Sequence, residues 1–392
     1  MNTRQALATL ALGLSLLSTA QAQTFAKTGT VKIGAITALT GRFAEFGRQQ
    51  MAGFQVAVDE INAKGGVNGQ KLELQVEDNA SDVNKGLAAA ERLVNADVGV
   101  VICEYSSSLV KAQAQYLARQ KVPALVVTSS GDDITKPGSE YVFRLNQPAS
   151  EYAQVLFNIF RDNKFKTVAM FTGTGAFEKS VADAARRFAK EYNITLVEDQ
   201  SYDKGLTDFR PVLNRIKAKN PDAVFMVSYA EDSVALMRQA REVGVKPKLF
   251  VGGAAGFALP TFISDGGSAA NNVVSATAWV KELNYPGIAK LNTDLVKALK
   301  GTEPSYHAAQ AYAGVLVAAD AVARAGSSDR EKVKAALKAT DLKTAFGPVI
   351  FKDYDGFKNQ NPILMVAEQV QGGKFVPIYP KTDASKPVKL ER

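Results

Sequence analysis

The stretch from Val98 to Asp133, VGVVICEYSSSLVKAQAQYLARQKVPALVVTSSGDD, narrows the possible folds of this 392-residue chain more than any other. A short apolar run, Val98 to Cys103, ends in Glu104, Tyr105 and three serines, Ser106, Ser107 and Ser108. A helical pattern follows through Arg119. A second apolar run, Val122 to Val127, ends in Thr128, Ser129, Ser130 and Gly131. Short apolar runs bounded by turn residues read as buried strands. The order is therefore strand, hydroxyl-rich turn, helix, strand, hydroxyl-rich turn. In a parallel sheet both turns fall at the carboxyl ends of the strands, the edge at which open α/β sheets hold ligands. The unpaired N–H groups at the start of the intervening helix point to the same edge.

The same alternation runs through most of the chain. Val31 to Ala35 is a strand pattern, and Thr37 to Gly47, TALTGRFAEFG, a loop with two glycines and two aromatics. Phe54, Val58 and Ile61 predict a helix over about 49–64, stopped by Gly65 and Gly66. Leu72, Leu74 and Val76 alternate along a strand over 71–77, and the polar run 78–82 caps a helix over 83–95. A strand over 141–145 closes this unit, and near Asn146 the pattern restarts. Helices over 152–163, 180–191, 208–219 and 231–243 alternate with strands over 167–171, 194–199, 223–227 and 249–251. Pro211 fits the first turn of its helix. A Gly/Ala/Ser-rich stretch follows to about Asn272. Strands over 273–279, 347–354, 363–370 and 375–379 then enclose helices over 291–299, 305–325 and 330–339. Two successive units of this kind predict an α/β protein of two lobes.

Composition removes several function classes. At 46% hydrophobic and 22% charged residues the chain is ordinary globular material. The formal charge of +8 is scattered, apart from a basic bias towards the end (Lys352, Lys358, Lys374, Lys381, Lys386, Lys389). No clustered stripe or known module marks a nucleic-acid partner; a basic body instead favours anionic solutes. Cys103 is the only cysteine and sits in an apolar strand, so it is expected to be buried and inert. His307 is the only histidine, which argues against a multi-histidine metal site. Neither metal nor cofactor is expected. Carboxylates exist at Asp78, Glu104 and Asp132, but the sequence pairs none of them as acid and base. Residues 1–22 combine Arg4, an apolar run over 6–17 and an Ala20-Gln21-Ala22 site. These predict a secretory signal peptide cut after Ala22. No later window holds eighteen consecutive apolar residues, so no membrane span is expected in the mature chain.

The ordered pieces VKIGAITALTGRFAEFG, MAGFQVAVDEINAKGGVNGQKLELQVEDNASD, the serine cluster, VPAL, LMRQAREVG and FGPVIFKDYDGF together resemble the periplasmic solute-binding proteins of ABC transporters. The resemblance is to the leucine/isoleucine/valine-binding, branched-chain amino acid type, over about residues 30 to 370. It implies a type I periplasmic binding protein with two α/β lobes, each a mainly parallel sheet flanked by helices, joined by three hinge crossings. Lobe 1 is expected over 24–146 and 274–347, and lobe 2 over 147–273 and 348–392. The implied activity is reversible binding of a small carboxylate in the interlobe cleft, with no bond made or broken. A monomer in the periplasm, docking on a membrane permease, is implied as well; a sensory role that feeds a receptor is the alternative.

The resemblance also distributes the site. Ser106 matches the family's carboxylate-binding serine, with Ser107 beside it, and Ser129 and Ser130 match the pair after the next strand. Phe46 and Arg42 lie in the opening loop that covers the cleft, and Tyr105 flanks the anion turn. From the second lobe, Tyr229 matches a family tyrosine, and Phe177 falls where a ligand-facing ring is frequent. The departure is Ala254, which stands near the glutamate that pairs with the ammonium of branched-chain amino acids. A desolvated ammonium needs a counter-charge. Either Glu104 or Asp232 supplies one, or the solute is an aromatic or other organic acid without an amino group.

Overall fold

The computed structural model describes residues 29–382 and 385–391; the expected signal peptide lies outside them. The chain begins in the first lobe with β1 (Thr30–Thr37), α1 (Ala44–Ala63), β2 (Lys71–Asp78), α2 (Val83–Asn95), β3 (Val101–Cys103), α3 (Ser107–Arg119), β4 (Ala124–Val126) and β5 (Val142–Arg144). It crosses to the second lobe through Leu145–Pro148. There it forms α4 (Ala149–Asp162), β6 (Thr167–Gly173), α5 (Ala176–Glu191), β7 (Thr195–Tyr202), α6 (Arg210–Lys219), β8 (Ala223–Val227), α7 (Ala230–Glu242), β9 (Leu249–Gly252), α8 (Pro260–Gly266) and β10 (Val274–Thr277). It returns for α9 (Ile288–Ala298), α10 (Tyr306–Ala325), α11 (Arg330–Lys338), β11 (Asp341–Thr344), β12 (Gly347–Ile350), β13 (Lys352–Tyr354) and β14 (Phe357–Gln360). A third crossing leads to β15 (Val366–Gln371) and β16 (Lys374–Tyr379).

Each lobe is built on a seven-stranded sheet, ordered β13-β14-β5-β4-β3-β1-β2 in the first and β16-β15-β10-β9-β8-β6-β7 in the second. Strands β1 to β5 pair in parallel, as do β6 to β10, while β13, β15 and β16 add antiparallel edges. In both sheets the order reverses beside the first strand of the lobe. β2 lies on one side of β1 and β3 on the other; β7 and β8 flank β6 in the same way. At such switch points the connecting chains part and leave a crevice at the carboxyl ends of the strands. The two crevices face each other.

The expected returns at 274 and 348 both fall later in the chain. β10 hydrogen-bonds β9 and β15 in the second sheet, and β14 pairs with β5 in the first. The crossings therefore follow Thr277 and Gln360. Strand periodicity reports which face of a strand is buried, and carries no information about which sheet receives it. Other local signals hold: the Asp82 carboxylate caps α2 by accepting from the Lys85 amide (3.0 Å), and Pro211 sits in the first turn of α6. Cys103 is fully buried, and burial pushes its thiol pKa far up.

Candidate functional site

Ser106 is the N-cap of α3, at the switch point between β1 and β3. It lies on the wall of an interlobe cavity of about 370 Å³ with Ser108 and the loop residues Arg42 and Phe43. The opposite wall comes from the second lobe: Gly173 to Gly175, Glu178, Tyr202, Tyr229 and Asp232. The Ser106 hydroxyl faces the Tyr229 phenol across the gap. A second space of about 600 Å³ shares Arg42, Ser81, Lys204 and Asp232 and carries the cleft outwards.

Behind this cavity the lobes meet through rings. Phe46 stacks on Tyr105 with centroids 3.8 Å apart and planes 14° apart. Tyr229 stands edge-on to Tyr105 at 5.6 Å and to Phe43 at 5.1 Å. Phe177 lies 6.2 Å from Tyr229 and 6.1 Å from Tyr152. The half-buried Arg42 guanidinium lies over both Phe43 (4.8 Å) and Tyr229 (5.5 Å), a cation on aromatic faces. The Tyr105 hydroxyl is buried without a hydrogen-bond partner, and so is Oε2 of Glu178. Buried polar atoms are normally paired, and of these two Glu178 lines the interlobe cavity, where a partner from outside the chain can reach it.

Glu178 enters the site because α5 begins at the switch point between β6 and β8, just after the Gly-Thr-Gly turn. It is 5% exposed, and burial pushes its pKa up to about 7 against the pull of its own backbone N–H and of Arg42. Asp232 is nearer the rim; its carboxylate accepts from the Tyr202 hydroxyl at 3.4 Å, and burial raises its pKa too. Glu104 is placed quite differently. Its carboxyl is turned under α2 and α3, bonded to Asn79 and beside Gln113, and burial raises its pKa to about 8. Glu104 spends its carboxyl on Asn79 and does not line the interlobe cavity, so the expected role of countering a charge there is corrected.

The remaining serines tie the two hydroxyl turns together. Ser129 donates to Ser107 at 3.1 Å, and the Ser107 hydroxyl accepts from the Gly131 amide at 3.0 Å. The carbonyl of Ser130 accepts from the Ala149 amide at 2.7 Å and so fixes the first crossing. None of these three lines the interlobe cavity. Ala254 is fully buried at the end of β9, with φ +70°, and Ala255 follows at φ +52°. Two adjacent non-glycine residues in this region are strained, and such strain concentrates at binding sites. The Tyr306 phenol reaches the backbone of Ala255.

Sequence reasoning did not find Glu178, Ser108 or Tyr202. An acid at the third position of a helix reads as ordinary capping. The available signal was its place in GTGAFE, after a strand and a glycine turn and directly beside Phe177.

Two parallel-sheet lobes on a three-strand hinge, with their switch points facing across an aromatic and polar cleft, define a two-lobed small-molecule binding protein. The chain belongs to the periplasmic binding protein family, whose model matches residues 30–374, and within it to the Leu/Ile/Val-binding type. It is 31% identical to Leu/Ile/Val-binding protein homolog 7 of Brucella suis over 382 residues, covering 92% of this chain and 94% of the relative. The branched-chain amino acid transporter substrate-binding protein LivJ of Streptococcus pneumoniae, in complex with isoleucine, superposes with a TM-score of 0.80 at 26% identity, covering 88% of this chain and 98% of that one. A solute-binding protein of R. palustris in complex with benzoate has the same fold, with a TM-score of 0.79 at 17% identity, covering 91% and 99%.

Proposed function

We propose that this protein is the solute-binding component of an ABC importer, exported to the periplasm, and that it takes an amino acid or a related small carboxylate in the interlobe cleft. One observation carries the reading. Donors gather on one lobe, at Ser106, Ser108 and the start of α3, and across the cavity stands a buried carboxylate with an unpaired oxygen, Glu178. A carboxylate bound at the first and an ammonium at the second is a zwitterion laid across the gap. Helix N-terminal N–H groups favour an anion, and a buried charge without a partner favours a cation. Apolar parts of the solute then lie against Phe43, Phe177 and Tyr229. Binding shifts the lobes towards closure by the difference in affinity between the two states, and the closed form docks on a permease.

A second reading keeps the carboxylate and drops the ammonium. It is favoured by Ala254, which offers no charge at the end of β9, and by the aromatic lining. Mass spectrometry of small molecules released from gently purified, then denatured, protein names the solute class. Titration of variants then separates the readings. Ser106→Ala is expected to weaken any carboxylate by roughly ten- to a hundredfold, because a hydrogen bond to a charged group is lost. Glu178→Gln is expected to weaken an α-amino acid by a similar factor. If Glu178→Gln leaves affinity unchanged or improves it, the solute has no ammonium and the aromatic-acid reading stands. Unchanged affinity in Ser106→Ala removes the assigned anion site.

A further inference from the structure

A second cavity, of about 610 Å³, lies on the flank of the hinge. Its walls come from both lobes. Trp279, Val280 and Tyr306 belong to the second crossing and the start of α10, whereas Ile263, Glu368 and Phe375 belong to α8, β15 and β16. Most of this lining is apolar. Within it the Glu368 side chain is only 5% exposed and makes no hydrogen bond among the described residues. Asn292, on α9, adds a buried Oδ1 that also lacks a partner. Both unpaired atoms are acceptors. A native fold tolerates a few such groups, but two in one cavity of this size ask for a donor.

The charges around the cavity define that donor. Lys281 and Glu303 cancel through an ion pair of 3.2 Å. Lys374 is then left against Glu282 and Glu368, a surplus of one negative charge whenever Glu368 is ionised. Loss of water and the neighbouring Glu282 both raise the pKa of Glu368, so an arriving cation relieves both effects. Ordinary structural carboxyls in this molecule are treated differently: Asp78 and Asp222 are each held by several donors.

We infer that this hinge-flank cavity is a second small-molecule site, which takes a monovalent primary amine on a short apolar body with its ammonium on Glu368 and Asn292. It is separate from the solute cleft and does not depend on the reading given above. Because its walls belong to both lobes, an occupant bridges them.

Isothermal titration of the full mature protein with benzylammonium, and with benzyl alcohol as its neutral analogue, tests the site. Saturable binding of the amine, at least tenfold tighter than that of the alcohol, is expected. Glu368→Gln is expected to remove that preference, and Ser264→Trp, at an exposed lining position, to abolish binding of both. Glu178→Gln, in the solute cleft, is expected to leave the titration unchanged. The inference is overturned if the amine does not saturate, if Glu368→Gln binds it as well as the parent protein, or if Glu178→Gln is the variant that loses it. Should Glu368→Gln not fold, Ser264→Trp decides: unaltered amine binding there overturns the site.

Discussion

At Glu178 two effects oppose each other. Burial favours the neutral acid, while its own backbone N–H and the Arg42 guanidinium favour the carboxylate, and the balance falls at a pKa of about 7. A solute ammonium pairs only with the ionised form. The ionised fraction rises about tenfold between pH 6 and pH 8, so affinity for an amino acid is expected to rise by roughly that factor over the same interval. Calorimetry across the interval checks it, and Glu178→Gln should flatten the profile. An aromatic acid without an ammonium group shows the opposite slope, since ionised Glu178 repels it. The parts of the site that were legible in the sequence were those that follow strand ends: Ser106, Tyr229, Phe177 and Arg42 all border the cleft or its rings. What was not legible was direction. Glu104 follows β3 directly, whereas Ser106 stands beyond a turn as the N-cap of α3, and the Glu104 carboxyl bonds Asn79 before α2. Sequence spacing also could not tell serines that face a cavity from serines that join two turns, as Ser107 and Ser129 do.

Among the elements, α1 and α10 make the closest approach that matters for the site, because α1 carries Phe46 and α10 carries His307, whose rings lie 5.0 Å apart. Gly53 sets their separation. A Cβ at this position would come within 2.1 Å of the Ala308 carbonyl oxygen and 2.8 Å of the Tyr312 nitrogen, both backbone atoms that cannot swing aside. Gly53→Ala is therefore expected to push the helices apart and to destabilise the protein by about 1–3 kcal/mol, despite the better helix propensity of alanine. Thermal unfolding measures the loss, and weaker solute binding should accompany it as Phe46 is displaced from Tyr105. An unchanged melting temperature would show that α10 yields without cost. The helix over 305–325 was readable from its alanine-rich pattern, and so were nearly all strands of the two parallel units. The 260–266 helix was not, because seven residues in a Gly/Ala/Ser-rich stretch carry too little periodicity. Strand β14 escaped for a related reason: its four residues, FKNQ, are placed by partners far away in sequence.

For the molecule as a whole, the hinge and the rim of the cleft are held very differently. At the hinge Asn146 accepts from Tyr152 of the second lobe (2.9 Å) and Gln310 of the first (2.7 Å). The Gln147 side chain donates to the Asn361 carbonyl (3.0 Å), and Arg144 donates to Gln360 (2.6 Å). All of these groups are buried. At the rim, the Ala176 amide reaches Ser108 at 3.4 Å and the Asp132 amide reaches Ser180 at 3.3 Å, both long bonds between partly exposed groups. Long, exposed bonds contribute little, whereas a buried donor stripped of its acceptor costs about 1–3 kcal/mol. Asn146→Ala strips two, so a loss of about 2–4 kcal/mol is expected in unfolding, while Ser180→Ala should cost less than about 0.5 kcal/mol. The same asymmetry bears on function. With the rim so weakly tied, closure must draw on the solute, and solution scattering of protein freed of its solute should give a larger radius of gyration than after saturation. Hinge bonds turn with the crossings and survive opening, so Asn146→Ala should keep that compaction while losing stability. A radius of gyration that does not change on saturation would mean that the lobes stay closed without a solute. The aromatic contacts of Phe43 and Tyr105 with Tyr229, rather than the ligand, would then hold the cleft shut.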